Sequence, residues 1–232
     1  MKISERIKTI AKHVPKGSVV ADIGTDHGYL LKILLDQNKI KKGIGCDVNK
    51  NPLSYAKKNL SQYIENHRAQ LILGDGLEPL AEKNVDCIVI AGMGGLLMID
   101  ILKNKQQVTD HVEKIILSPN LAWEKIRKYV TENGWKIADE DLVFEDGKFY
   151  PIIVLEKGLD KDYSECELFF GPLLISHKHA LLSQLVDHEK QKTEDIINKI
   201  KESGHKNSEE LIEKERYKWK KKSRCIYGTT CN

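Results

Sequence analysis

Ala21-Asp22-Ile23-Gly24-Thr25-Asp26-His27-Gly28 closes the first apolar run of the chain and leads into a helical stretch. Glycines at such a strand-to-helix turn let the backbone approach a ligand closely. The turn departs from the Gly-x-Gly-x-x-Gly dinucleotide fingerprint at one decisive position. Asp26 stands where the second glycine would be, so a carboxylate occupies the place of a pyrophosphate. Repulsion disfavours a dinucleotide there, and a cationic ligand without phosphate is favoured. The same residues would also serve a turn shaped only for strand–helix packing.

Outward from this turn, apolar β-type runs at Val19–Ile23, Gly43–Val48, Ala69–Leu73, Cys87–Ala91 and Ile115–Ser118 alternate with segments long enough for crossover helices. That alternation predicts a mainly parallel sheet covered on both faces. Before it, Ile7, Ile10, Ala11 and Val14 fall at helical spacing behind the N-cap candidate Ser4. After it, Trp123–Asn133 reads as a helix stopped by Gly134, and runs at Leu142–Phe144 and Tyr150–Glu156 flank Glu145-Asp146-Gly147-Lys148. The Asp-Gly turn makes that pair a β-hairpin. Five parallel strands and an antiparallel hairpin predict the seven-stranded, Rossmann-like α/β sheet of class I methyltransferases.

Beyond Gly158 the pattern turns helical. Leu182, Val186, Glu189, Thr193, Ile196 and Ile200 follow a 4-3-4-3-4 spacing, and Leu211, Glu215 and Trp219 continue it after Gly204. Two antiparallel helices, forming a short coiled coil with polar members in its seam, are expected. The predicted organisation is a ligand-binding domain at 1–158 and a small α-helical domain at 159–232.

The strand ends carry the chemistry. Asp47, followed by Val48, ends the second strand 25 positions after Asp22, where a carboxylate can accept from both ribose hydroxyls of an adenosine-containing ligand. It would equally serve as a helix cap before Pro52. Gly74-Asp75-Gly76 ends the third strand, with Asp75 suited to an adenine amino group or to a plain turn. Acidic residues converging on the carboxyl edge of a parallel sheet favour S-adenosylmethionine (SAM), whose sulfonium and ammonium are cationic. The fourth strand runs into Ala91-Gly92-Met93-Gly94-Gly95, bare backbone against which the cofactor's methyl end or a flat substrate can lie. Ser118-Pro119-Asn120 ends the fifth strand, with Pro119 stiffening the turn and Asn120 offering both a donor and an acceptor. His27 is read as a packing or hydrogen-bonding residue before it is read as a base.

Composition narrows the class further. Lys plus Arg total 37 against 34 Asp plus Glu, and residues 159–232 hold 14 against 13, so bulk charge does not point to nucleic acid. One segment, Arg216-Tyr217-Lys218-Trp219-Lys220-Lys221-Lys222-Ser223-Arg224, interleaves cations with aromatics, as a solvated helix face would in the first place and an RNA-contacting surface in the second. Lys218, Lys220 and Lys221 are its candidate substrate contacts. Cys46, Cys87, Cys166, Cys225 and Cys231 lack the spacing of a disulfide framework or a metal site and suit a reducing compartment. No stretch approaches the roughly 18 apolar residues of a membrane span, and a soluble, cytoplasmic, monomeric protein with no metal and no protein partner is expected.

Together, Ala-Asp-Ile-Gly-Thr-Asp-His-Gly-Tyr-Leu at 21–30, Gly-Asp-Gly-Leu at 74–77, Ile-Ala-Gly-Met-Gly-Gly at 90–95, Pro-Asn at 119–120 and Ser-x-Arg-Ile-x-x-Ile-Ala at 4–11 resemble the TrmK family of bacterial tRNA methyltransferases. The resemblance implies methylation of adenine N1 at position 22 in the tRNA D-arm, with SAM as donor. It implies that Gly24, His27, Asp47, Asp75, Gly76 and Met93 line the cofactor site and that Asp26 lies near the target base. The family usually carries Gln before the Pro-Asn pair and Glu at the ribose position, where this chain has Ser118 and Asp47. From these residues Asp26 and Asn120 are the catalytic candidates. Asp22, Gly24, His27, Gly28, Asp47, Val48, Gly74, Asp75, Gly76, Ala91, Gly92 and Met93 are candidates for the cofactor, and Gly94, Gly95, Ser118 and Pro119 for the substrate. The rival readings are a methyltransferase of another RNA, a protein or a small molecule, and a non-catalytic module that binds SAM and RNA. An NAD-dependent dehydrogenase ranks last because of Asp26.

Overall fold

Five short segments, β1 (Val19–Ile23), β2 (Lys42–Asp47), β3 (Ala69–Leu73), β4 (Cys87–Ala91) and β5 (Lys114–Ser118), form parallel strands, buried along most of their length except for β3 at the edge. The computed structural model describes residues 3–104, 106–203 and 207–226. With β6 (Trp135–Glu145) and β7 (Lys148–Lys157) the strands form one sheet in the order β3-β2-β1-β4-β5-β7-β6, in which β7 runs antiparallel to both β5 and β6. The expected fold class is therefore present. The chain proceeds outward from β1 in one direction through β2 and β3, and in the other through β4 and β5. The crevice between β1 and β4 is the switch point where such sheets bind ligands.

Crossover helices α2 (Tyr29–Asp36), α3 (Lys50–Asn59), α4 (Ser61–Glu65), α5 (Gly95–Asn104), α6 (Gln106–Asp110) and α7 (Trp123–Glu132) join the strands. Ahead of them, α1 (Glu5–His13) is capped by Ser4, whose hydroxyl accepts from the Ile7 amide at 3.2 Å. It packs on α2 and against β5, β6 and β7, burying Ile10 and Ala11 in a core shared with Leu31, Leu34, Val89 and Ile116. That seating brings the first turn of α1 to the end of β5.

The hairpin is longer than the sequence implies. β6 begins at Trp135, well before Leu142, with a register shift between Ile137 and Asp139. Lys136, Asp139, Glu140 and Asp141 hide its first half from an apolar-pattern reading. Glu140 is nonetheless fully buried, because the Arg127 guanidinium of α7 meets it at 2.7 Å with side-chain exposures of 1% and 0%.

The chain divides into two compact units, residues 1–160 and 161–232. The second unit opens with α8 (Glu165–Phe170), started by a reciprocal capping box between Ser164 and Glu167, and continues through α9 (Pro172–Ser176), α10 (Leu182–Ser203) and α11 (Ser208–Ser223). Helices α10 and α11 pack together. Their buried apolar positions are Leu185, Val186, Ile197 and Ile212, whereas Ile196 and Leu211 are exposed. The expected seam holds at Val186 and, half-buried, at Leu182, Glu189, Thr193 and Ile200, whereas Ile197 and Ile212 turn inward in place of Ile196 and Leu211. Gly204 and the terminal stretch Gly228-Thr229-Thr230-Cys231-Asn232 lie outside the described residues.

The cysteine reading needs correction. Cys166 and Cys225, 59 positions apart, form a disulfide with a Cα–Cα distance of 5.8 Å. The pairing follows from α8 folding against α11, where Phe170 also meets Trp219 edge-on at 6.3 Å. Spacing along the chain does not encode such a tertiary contact. Cys46 and Cys87 are buried thiols, both pushed up to about 12 by burial.

Removing one partner of the Arg127–Glu140 pair strands a buried charge. Arg127→Ala is expected to cost about 3–5 kcal/mol in urea unfolding, and Arg127→Met with Glu140→Leu much less. Equal losses in the two variants would show that the pair's charge is not what the site needs.

Candidate functional site

The ends of β1 and β4 face each other across a cleft of about 480 Å³, inside the range usual for small-molecule sites. Asp22, Gly24, Thr25, Asp26, His27, Ala91, Gly92 and Met93 line it, joined by Ser4, Arg6, Ile7, Ile10, Tyr29, Leu30, Glu145 and Tyr150. The two loops interlock. Gly24 has φ 71°, a left-handed backbone that favours glycine, and the Met93 methyl lies over the space where a Cβ would stand.

Asp22 is buried near the end of β1 and accepts from the Thr25 hydroxyl at 2.7 Å. Loss of water, together with the Asp47 and Asp26 carboxylates, pushes it up to about 6 against the opposing Thr25 bond. Asp47, also buried, accepts from the Asp26 amide at 3.2 Å and the Asn49 amide at 2.9 Å, one on each oxygen. Each oxygen keeps a further acceptor site. Asp26 adopts left-handed φ 50°, and its own side chain is 65% exposed, with one oxygen 3.5 Å from His27 Nε2. The His27 ring stacks near Tyr29 at 5.5 Å and meets Tyr55 at 5.0 Å, which accords with a packing role.

Of the remaining candidates, Gly28 adjoins Ala56 and Leu60 at the start of α2. Asp47, Val48 and the Gly74-Asp75-Gly76 turn stand at the neighbouring strand ends, tied by the Gly74 amide to the Asp47 carbonyl at 3.0 Å, and they do not line the cleft itself. Gly94 lies beneath Leu121, and Gly95 is pressed against the carbonyls of Leu121 and Ala122, a packing constraint at the head of α5. Ser118 is fully buried, so it faces protein; Pro119 follows it in the turn. Lys218, Lys220 and Lys221 belong to the second unit and not to the cleft; Lys218 pairs with Glu215 at 2.5 Å and Lys221 with Glu165 at 3.0 Å. Among the described residues no His, Cys, Asp or Glu group could hold a metal ion.

Sequence reasoning missed Arg6 and Tyr150. The guanidinium stacks 4.3 Å from the Tyr150 ring centroid and donates from Nε to Ser118 Oγ at 2.9 Å, from Nη1 to Asn120 Oδ1 at 2.8 Å and from Nη2 to the Ser118 carbonyl. The Ser-x-Arg-Ile opening was the available signal, but a helix pattern alone does not reveal what its polar face meets.

Comparison with known proteins supplies independent findings. A family model described as TrmK, tRNA (adenine(22)-N(1))-methyltransferase, matches residues 20–221. The tRNA (adenine(22)-N(1))-methyltransferase of Bacillus subtilis (strain 168) is 32% identical over 210 residues, 88% of each chain. Streptococcus pneumoniae Sp1610 in complex with S-adenosyl-L-methionine has a TM-score of 0.81 at 30% identity, covering 94% of this chain and 100% of that one. M. capricolum TrmK in complex with the cofactor product S-adenosyl-homocysteine gives 0.83 at 27% identity, covering 98% and 99%.

Asp22 titrates above the 3.8 of an unperturbed carboxyl. Between about pH 4 and 6 the native state therefore keeps a proton that the unfolded chain has released. The resulting cost, on the order of 2–3 kcal/mol, is absent at low pH and fully present above about 6. Asp22→Asn keeps the Thr25 bond and should raise the ligand-free melting temperature above pH 6, with the gain shrinking toward pH 4. A gain independent of pH would contradict this account.

Proposed function

The chain belongs to the TrmK family of tRNA (adenine(22)-N(1))-methyltransferases, and from that premise we propose how its own residues carry out SAM-dependent methyl transfer to N1 of adenine 22 in tRNA. The single observation that carries the reading is the meeting of the Gly24–Gly28 and Gly92–Met93 loops at the switch point, beside carboxylates and exposed backbone.

The donor set suits SAM. Asp22, Asp26 and Asp47 make the β1–β2 side of the site acidic, as a sulfonium and an ammonium require. Gly92, with φ 83° and no atom within 4 Å of where a Cβ would stand, leaves bare backbone open to a ligand. Asp47 would hold the ribose hydroxyls through its spare acceptor sites and Asp75 the adenine amino group, with Val48 and Gly76 beside them. Gly24, His27, Gly28, Gly74, Ala91 and Met93 would complete the cofactor's surroundings. When bound, SAM supplies an electrophilic methyl group.

An unpaired adenine N1 has a free lone pair, so its attack needs no prior deprotonation, only removal from pairing and in-line placement. Methylation leaves positive charge on the ring. The Asp26 carboxylate, exposed at the cleft, would stabilise that charge or accept a proton from the exocyclic amine. Asn120 would orient the base, and Gly94, Gly95 and Pro119 would shape the floor beneath it. Lys218, Lys220 and Lys221 would contact the tRNA body. The protein acts in this reading as a cytoplasmic monomer, which light scattering can check.

Incubating unmodified tRNA with labelled SAM and mapping the modified base tests the assignment; label at a base other than adenine 22, or none, would remove it. Asp26→Asn tolerates left-handed backbone and should keep SAM affinity within about tenfold while losing on the order of 100-fold in turnover. Abolished SAM binding by calorimetry would reassign Asp26 to the cofactor. Reversing all three lysines to Glu should weaken tRNA binding and flatten its salt dependence with SAM binding spared; unchanged tRNA affinity would discard the lysine contacts.

A further inference from the structure

The Asn120 amide has two ends of similar size and opposite chemistry, so its partners decide which way it faces. Arg6 Nη1 donates to Oδ1 at 2.8 Å, and Nδ2 donates to the Gly92 carbonyl at 2.6 Å. A guanidinium has only donors and a carbonyl only accepts, so neither bond survives a flip of the amide. The Asn120 backbone is held as well, its N–H donating to the Met93 carbonyl at 2.9 Å. Arg6 is in turn fixed by Ser118 and by the face of Tyr150. Held in this way, the exposed amide keeps one acceptor site on oxygen and one N–H on nitrogen. Its two anchors, Arg6 and Gly92, both line the cleft.

A spare acceptor beside a spare donor is the pattern that pairs with the N6 and N7 edge of adenine. Reading that edge leaves N1 untouched. We propose that Arg6 is a positioning residue that fixes the Asn120 amide so that it grips the target adenine by N6 and N7 and leaves N1 free for methylation. This rests on the reading of the chain as an adenine-N1 methyltransferase and adds how the base is selected. Guanine offers two acceptors on the same edge, and the fixed amide cannot turn to meet them.

The test uses the full-length protein and synthetic tRNA carrying either adenine or 7-deazaadenine at position 22. The second base lacks N7 and keeps the N6 amine and N1. Wild type should methylate the 7-deaza tRNA with kcat/KM reduced about tenfold or more. Arg6→Ala should be slower on adenine and yet discriminate by less than about threefold, because the amide is free to turn, with SAM affinity by calorimetry unchanged. Arg6→Lys, which keeps charge but cannot span both Ser118 and Asn120, reads the same ratio and should fall between the two; it also serves if the alanine variant does not fold. A wild type indifferent to N7 overturns the edge reading. A variant that is slower on both bases with full discrimination overturns the role of Arg6. Absence of methyl on the adenine tRNA in wild type would instead sink the function itself, a separate outcome.

Discussion

Two carboxyls held out of water at the tips of adjacent strands set the terms for the rest of the catalytic unit. Asp22 and Asp47 are both buried, and like charges in a low-dielectric wall are tolerated only when donors meet them. The loop after β1 provides those donors: the Thr25 hydroxyl turns back to Asp22, and the Asp26 amide turns to Asp47. Left-handed backbone at Gly24, Asp26 and Gly28 directs the loop that way. A loop bent to serve carboxylates necessarily brings its own backbone close to the crevice, which is where a cofactor needs it. The strain and the buried charge destabilise the empty protein and favour a cationic ligand, the trade between stability and activity expected of a working site.

The opposite wall holds a cation, Arg6, with Tyr150 and Glu145 beside it. Arg6 arrives on α1, outside the β–α alternation that makes the cofactor side, and is held by a hydroxyl, a carbonyl, an amide oxygen and an aromatic face. Because adenine N1 needs no activation, most of what the protein contributes is placement. Buried, multiply bonded side chains are the means by which a fold supplies placement.

What the amino-acid pattern could reveal follows the same division. The central strands β1 and β4 are buried on both faces, so they stand out as nearly continuous apolar runs, and the carboxylates that close β1 are legible with them. β6 escapes because Glu140 is an interior residue that looks like a surface one until Arg127 is placed beside it. Arg6, Tyr150 and the Cys166–Cys225 bond escape for a related reason: each depends on a partner more than 50 positions away. Periodicity identifies the face a residue occupies and says nothing of what arrives to meet it. The exchange of Ile196 and Leu211 for Ile197 and Ile212 is of the same kind, because adjacent apolar residues leave the pattern undecided as to which of them the partner helix covers.

Ser118 shows how a residue at a strand end can act on a site without facing it. Its side chain is completely covered, and its hydroxyl accepts from Arg6 Nε while its carbonyl takes Nη2. A short hydroxyl at this point leaves room for the guanidinium to come down onto the end of β5 and reach Asn120 with its remaining nitrogen. A longer amide side chain would fill that space and compete for the same donors. Any influence of this position on the target base must therefore pass through Arg6 and Asn120, which makes the residue at 118 a determinant of how the amide is held and not of what it contacts.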